Sequence, residues 1–333
     1  MTRVAIVIVT YHSAAEIGGC LDALRNETDV EIVVVDNAST DGTREAVLAR
    51  GIRLIANPTN CGFAGGVNIG VKATTAPLIL LLNPDAHLQC GLGEMAAMFD
   101  ADEKMGIVGG RLTGPDGQPQ VGFMTRNLPT PAALSFEVLG INRLWPGNPV
   151  NWHYRCMEVS PMIAGPTEQP AGAFFMFSRR VWDTVGGMDE RFAPVWFEDV
   201  DFCARVKGAG FGIFYQPTAV ARHAGGHSIS SIPARVRHNY WYGNLLEYAA
   251  KHFGIIGFRV VCAATALGSC LRAVRGWPQS SPTVLSEYGA VVRLAFVRLF
   301  SVRRGYRGVV SGQHGVDVVT KINCGAGPRK HVR

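Results

Sequence analysis

Three clusters of acids and histidines stand in this sequence directly beside apolar runs. Residues 78–82 run into Asn83-Pro84-Asp85, which puts a carboxylate at the end of a strand-like segment. Trp196-Phe197-Glu198-Asp199-Val200-Asp201 sets three acids among aromatic side chains, and Arg222-His223-Ala224-Gly225-Gly226-His227 follows a further β-like run. A carboxylate such as Asp85 and a neutral imidazole such as His223 suit Mg²⁺ or Mn²⁺ beside a departing diphosphate, whose charge must be neutralised as its bond breaks. A carboxylate in an aromatic cleft suits proton removal from a hydroxyl. Asp199 and Asp201 lie two residues apart and diverge on a helix, so only one of them faces a substrate.

Asp36 ends another apolar run and opens Asp36-Asn37-Ala38-Ser39-Thr40-Asp41-Gly42. An acid at a strand's C-terminal end fits a nucleoside, accepting from a pyrimidine N–H or a ribose hydroxyl, while Ser39 and Asp41 also read as helix caps. Asn60-Cys61-Gly62-Phe63-Ala64-Gly65-Gly66-Val67-Asn68 opens a helix, and its glycines permit close approach of a phosphate or a sugar edge. A plain tight turn accounts for that loop equally well.

Such residues need a scaffold that gathers strand ends. Residues 4–9, 31–35, 53–56 and 78–82 are short apolar runs, rich in β-branched side chains, that read as buried parallel strands. Residues 14–25, 41–50 and 66–74 read as the helices between them. The alternation predicts a doubly wound α/β sheet, which binds ligands at the carboxyl ends of its strands. From about 114 to 169 prolines and glycines break the pattern, so a long excursion with little regular structure is expected, covering the substrate. Residues 173–177 return to the sheet, and a helix from Glu198 and a strand at 212–215 complete it. Helices are expected at 235–253, 255–274 and 285–304.

With 333 residues, 47% hydrophobic and 17% charged, the chain can bury a large core and is no disordered tail. A net charge of +6 and a pI near 9.0 suit phosphate or an acidic membrane surface. The eight cysteines form no CxxC pair, which argues against a zinc site or a disulfide framework and for a reducing compartment. The N-terminus enters a strand within three residues, so no leader peptide is expected and the catalytic part is placed in the cytoplasm. Residues 255–274 have the length of a membrane span, with Arg259 and Arg272 near the ends, but Gly257, Thr265, Gly268 and Ser269 make the segment only modestly apolar. The following helix carries Arg293, Arg298, Arg303 and Arg304. That composition suits a peripheral helix lying on anionic lipid; a helical subdomain packed on the sheet is the alternative.

In order, VIVTYHS, VVDNASTDG, NCGFAGGVN, LLNPDA, AGAFFMFSRRVWDTVGGMDERF, WFEDVDFCARVKGAGF and HAGGHS resemble GT-A fold glycosyltransferases of family 2 over roughly residues 3–230. The chain looks most like the bacterial rhamnosyltransferase branch acting on lipid-linked saccharides. The resemblance implies a GT-A domain over 1–230, with a nucleotide half at about 1–113 and an acceptor half at about 170–230. A membrane-associating helical segment at 231–310 and a disordered basic tail at 311–333 would follow. It also implies residue roles. Asp36 holds the nucleoside with Thr10, Tyr11 and Asn37 beside it, and Asn60, Gly62, Asn68 and Asn83 complete the nucleotide-sugar site. Asp85 and His223 hold Mg²⁺ or Mn²⁺. Asp199 is the base, with Glu198 and Asp201 beside it, and Gly172, Ala173 and Trp196 form the acceptor side. Asn83 departs from the family's pattern, replacing the first acid of its DxD-type motif.

The implied reaction is an inverting transfer, by preference from dTDP-rhamnose, to a lipid-linked or polysaccharide acceptor at the cytoplasmic face of the inner membrane. A UDP- or GDP-sugar donor is the alternative within the family. An inactive sugar-binding scaffold subunit is the alternative outside it, and release of nucleoside diphosphate separates the two. A nucleotidylyltransferase would carry a basic glycine loop where Thr10-Tyr11-His12-Ser13 stands, and an NAD enzyme a GxGxxG there. No nucleic-acid partner is expected, and a homo-oligomer is allowed.

Overall fold

A computed structural model describes residues 3–225, 234–276 and 282–300. His227, Arg303, Arg304 and the expected tail at 311–333 lie outside the described residues. The first half alternates as its apolar runs dictate: β1 Val4–Thr10, α1 Ile17–Ala23, β2 Val30–Asp36, α2 Thr43–Leu48, β3 Arg53–Ala56, α3 Gly62–Lys72 and β4 Leu78–Leu82. These four strands are parallel, in the order β3-β2-β1-β4. β1 is buried along its whole length. β3 is the sheet edge, so Arg53 and Ala56 are exposed and this strand is not the buried one its composition suggested.

α3 starts at Gly62, four residues before the expected Gly66, because the Asn60 side chain accepts the Gly62 N–H at 2.8 Å. Its glycines serve packing. A Cβ on Gly66 would lie 2.6 Å from Val9 Cγ1, and one on Gly70 would lie 2.5 Å from Val7 Cγ1, so only glycine lets the helix rest on β1.

Beyond β4 the sheet becomes mixed. β5 Ala86–Cys90, α4 Leu92–Ala101 and β6 Met105–Thr113 come first. Then follows the segment at 114–169, where the expectation of little regular structure is wrong. It holds β7 Thr125–Arg126, α5 Pro131–Leu139, α6 Ile141–Leu144, α7 Pro149–Tyr154 and β8 Gly165–Pro166. The prolines taken as breakers start helices instead: Pro131 and Pro149 occupy first turns, capped by Thr130 and Asn148, which accept the N–H groups of Ala133 and Asn151. β9 Gln169–Pro170 pairs with β7 in a small separate sheet; β10 Phe174–Ser178, α8 Arg179–Val185, α9 Glu198–Gly208 and β11 Gly212–His223 follow, and the main sheet runs β3-β2-β1-β4-β10-β6-β11-β5. β10 runs antiparallel to both β4 and β6, so its N-terminal end meets the carboxyl end of β4.

Three helices follow, α10 Ala234–His252, α11 Ile255–Gly276 and α12 Pro282–Phe300. They share a buried cluster with α5 and the 192–200 loop, including Leu134, Phe192, Tyr248, Val261 and Val291. α11 presses on α5 so closely that a Cβ on Gly268 would lie 2.0 Å from the Val138 carbonyl oxygen. Arg272, placed by its sequence near the end of a span, donates to the Val138 and Glu137 carbonyls and caps α5.

Candidate functional site

The carboxyl ends of β1, β2 and β4 and the N-terminal end of β10 meet on one side of the sheet. At β2, Asp36 is fully buried. It accepts from Thr10 Oγ1 at 3.0 Å, the Ser39 N–H at 3.0 Å and Arg44 Nε at 2.6 Å, so the acid expected to read a nucleoside is held by the protein's own donors. Ser39 in turn accepts the His12 N–H, and Asp41 accepts those of Ala14 and Thr43, which stitches the β1 and β2 loops together. Tyr11 remains half-buried beside them.

The amides of the glycine loop also face inward. Asn37 donates to the Gly62 carbonyl at 3.0 Å and accepts from Asn57 at 2.8 Å. Asn68 donates to the Met188 carbonyl and Glu190 and accepts the Met188 N–H at 3.0 Å. Gly62 lies against the Pro194 backbone, whose carbonyl accepts the Phe63 N–H at 2.7 Å. These residues join the N-terminal strand and helix units to the loop that precedes α9.

Asp85 and His223 come together because β5 pairs antiparallel with β11, setting Ala86 opposite His223. Asp85 Oδ1 and His223 Nε2 are 3.5 Å apart, both buried. Burial raises the Asp85 pKa, but the imidazole and backbone N–H groups outweigh it and hold the carboxyl below its ordinary value. Gln120 sets the histidine: its Nε2 donates to the His223 carbonyl at 2.9 Å, which turns its Oε1 to His223 Nδ1 at 3.0 Å. That pairing suits a proton on Nδ1 and turns Nε2 to Asp85, where it donates to the carboxylate when the imidazole is charged and offers a lone pair to a cation when it is neutral. Phe123 stacks on the other side of the ring, with centroids 5.4 Å apart and planes 3° from parallel. Among the described residues no group of three or more His, Cys, Asp or Glu could hold a metal, so further ligands would have to come from substrate oxygens or water. Asn83 is half-buried, and its N–H donates to the Ala173 carbonyl at 3.0 Å.

That bond leads to the acid triplet. The Gly172 N–H donates to Asp199 Oδ2 at 3.0 Å and the Val200 N–H to Oδ1 at 2.8 Å. A Cβ on Gly172 would lie 2.9 Å from the Asp199 Cβ, so the contact requires glycine. Burial raises the Asp199 pKa against the pull of these N–H groups and of Arg126. Glu198 is buried, with Oε2 unpartnered among the described residues, and burial and Asp199 push its pKa well above the ordinary value. Asp201 faces elsewhere. It pairs with Arg205 at 2.8 Å, Lys251 at 2.6 Å and His252 at 2.7 Å, pinning α10 to α9, so the third acid of the triplet serves structure.

Sequence reasoning missed three residues at this rim. Gln120 and Arg126 sit in the segment taken for irregular coil. Asn244 lies on a helix assigned to the membrane. Its Nδ2 donates to the carbonyls of Phe192 at 2.7 Å, Val195 at 2.8 Å and Trp196 at 3.2 Å. Trp196 and Phe197, just before the acids, are both left-handed, with φ of 78° and 71°, which is costly for bulky side chains. Asn244 is the clamp that holds them there. The Trp196 ring packs partly against the C-terminal helical cluster.

Residues 5–182 match the family model described as glycosyl transferase family 2. The N-acetylglucosaminyl-diphospho-decaprenol L-rhamnosyltransferase of Mycobacterium tuberculosis is 29% identical over 267 residues, 75% of this chain and 85% of that protein. The low-salt glycan biosynthesis hexosyltransferase Agl10 of Haloferax volcanii is 25% identical over 63% of each chain. Two solved structures share the fold. S. aureus TarS with UDP-GlcNAc has a TM-score of 0.53 at 13% identity, covering 89% of this chain and 81% of that one. The mannosyltransferase PcManGT of Pyrobaculum calidifontis with GDP-Man and Mn²⁺ has a TM-score of 0.51 at 17% identity, covering 88% and 80%.

Proposed function

Because this chain belongs to glycosyl transferase family 2 and is a glycosyltransferase, we propose that it moves a sugar from a nucleoside diphosphate to a hydroxyl of a lipid-linked saccharide, with inversion. The observation that carries the reading is the placement of Asp199. It is held by the Gly172 and Val200 N–H groups on the same rim as the Asp85–His223 pair, one Asn83–Ala173 bond away.

In the reaction Asp199 accepts the proton of the acceptor hydroxyl, whose oxygen forms the new bond at the anomeric carbon. The bond from that carbon to the phosphate oxygen breaks, and its electron pair leaves with the nucleoside diphosphate. Burial raises the Asp199 pKa, which makes its carboxylate a stronger base than an exposed aspartate. Asp85 and His223 would hold Mg²⁺ or Mn²⁺, which supplies charge neutralisation at the diphosphate. Asp36, with Thr10 and Arg44, sets the floor of the nucleoside side, and Trp196 borders the acceptor side.

The preferred donor is dTDP-rhamnose, a preference supported by the likeness to a mycobacterial enzyme named an L-rhamnosyltransferase. An acceptor on lipid suits peripheral docking at the cytoplasmic face of the membrane. α11 is long and apolar enough over Ile255–Val274 to cross a membrane, but 39% of that window is buried in the protein. Its outer side leaves Ile256, Val260, Leu267, Leu271 and Val274 exposed, a face that fits lying in the interface. The test is a donor screen by thermal shift with Mn²⁺, followed by detection of released nucleoside diphosphate. Stabilisation and turnover with dTDP-rhamnose support the full reading; preference for a UDP- or GDP-sugar overturns the donor, and no release with any donor overturns the transferase.

A further inference from the structure

Arg126 is a guanidinium prepared for an anion that the protein itself does not supply. Its strand β7 pairs with β9, setting Arg126 opposite Gln169. The Met124 carbonyl accepts the Ala171 N–H at 3.0 Å, and the next residue, Gly172, donates to Asp199. On the other side Phe123 stacks on His223. The segment 123–126 thus bridges the two halves of the rim. The Arg126 guanidinium carbon lies 5.9 Å from the Phe123 ring centre and 5.8 Å from that of Tyr154, and Nε donates to the Gly122 carbonyl at 2.7 Å. Two rings and one hydrogen bond fix the plane of the group. Among the described residues, neither Nη nitrogen has a hydrogen-bond or ion-pair partner. A fixed, half-buried fork with two free N–H edges is the donor set that phosphate oxygens take up in pairs.

We infer that Arg126 is an anion-binding residue that seats a diphosphate between His223 and Asp199, an inference resting on the transferase reading above. The Arg126 charge pulls the Asp199 carboxyl down against the burial that raises it, and a bound diphosphate offsets that pull. Two sources share this chemistry: the diphosphate of the nucleotide donor, and a diphosphate linking sugar to lipid in the acceptor.

The test uses the full chain and the variants Arg126→Gln, Arg126→Leu and Arg126→Lys, each checked for an unchanged melting temperature. Calorimetry with dTDP and Mn²⁺ reads the donor arm. KM for an N-acetylglucosaminyl-diphospho-lipid, against the same sugar on an uncharged alkyl glycoside, reads the acceptor arm. A donor role predicts loss of about tenfold or more in dTDP affinity in Gln and Leu, with Lys recovering most of it. An acceptor role predicts unchanged dTDP affinity and a comparable rise in KM for the diphospholipid alone. Equal binding by wild type and variants in both arms overturns the assignment of Arg126. A wild type that binds neither probe overturns the transferase reading instead, and this inference with it.

Discussion

Asn244→Ala should slow transfer while leaving nucleotide binding nearly unchanged. The side chain is buried, and its NH₂ group satisfies the Phe192 and Val195 carbonyls at 2.7 and 2.8 Å and shares a hydrogen with Trp196 at 3.2 Å. Alanine strands the buried Phe192 carbonyl and the part-buried Val195 carbonyl, each costing about 1–3 kcal/mol, so a loss of about 2–6 kcal/mol is expected if the loop stays in place. The loop has an easier course. Trp196 and Phe197 hold left-handed backbone worth about 1–2 kcal/mol each, and once unclamped they relax toward ordinary φ. Relaxation there moves the start of α9 and with it Asp199. A displacement near 1 Å at a reacting group costs on the order of 10²-fold in rate. The expected result is therefore kcat lower by about ten- to a hundredfold, dTDP affinity in Mn²⁺ within twofold of wild type, and a modest fall in melting temperature. Asn244→Asp, which cannot donate to the carbonyls, should behave like alanine. Full kcat in Asn244→Ala would refute the clamp.

Asp199→Asn should lower kcat by about 10²–10⁴-fold with donor binding intact; more than a tenth of wild-type turnover would dismiss it as the base. Because the Asp199 pKa is raised, kcat/KM of the wild type should fall with decreasing pH through a value above the ordinary carboxylate range, and a profile flat down to pH 4 contradicts this. Gln120→Leu, which frees His223 to change tautomer, should weaken Mn²⁺-dependent dTDP binding by about 10–100-fold in calorimetry, with no effect on binding in EDTA. Asp201→Asn should cost about 3 kcal/mol at pH 7 by removing the buried carboxylate that pairs with the part-buried Arg205 and Lys251. The folded Asp201 pKa is depressed, so this stability is present above about pH 4 and is lost as pH falls through the folded value; a gap between wild type and variant that stays constant from pH 7 to pH 3 disproves the linkage. In fractionation the protein should leave membranes in high salt or alkali, and a need for detergent would mean that it spans.

Much of the catalytic sheet was legible in one dimension. Strands such as residues 78–82 announce themselves because a strand buried on both faces needs an unbroken apolar run, and that requirement is local. The positions of Asp85, Asp199 and His223 beside such runs follow from the same local grammar, as does the helix that begins at Glu198. Tertiary structure decided which polar residues remain available. Asp36, Asn37 and Asn68 look alike in sequence to ligand-binding groups, yet their partners Arg44, Asn57 and Met188 take up their hydrogen bonds. Asp201 and Asp199 differ by two positions on one helix, and only the packing of α10 tells which is paired with cations and which meets backbone N–H groups. Gln120, Arg126 and Asn244 carry no motif at all. Each acts through a hydrogen bond or ring contact with residues that their own segments do not reveal. Hydrophobic periodicity records which face of an element is buried, whereas a directional polar contact across the fold depends on the relative placement of two elements, and that exists only after the chain has packed.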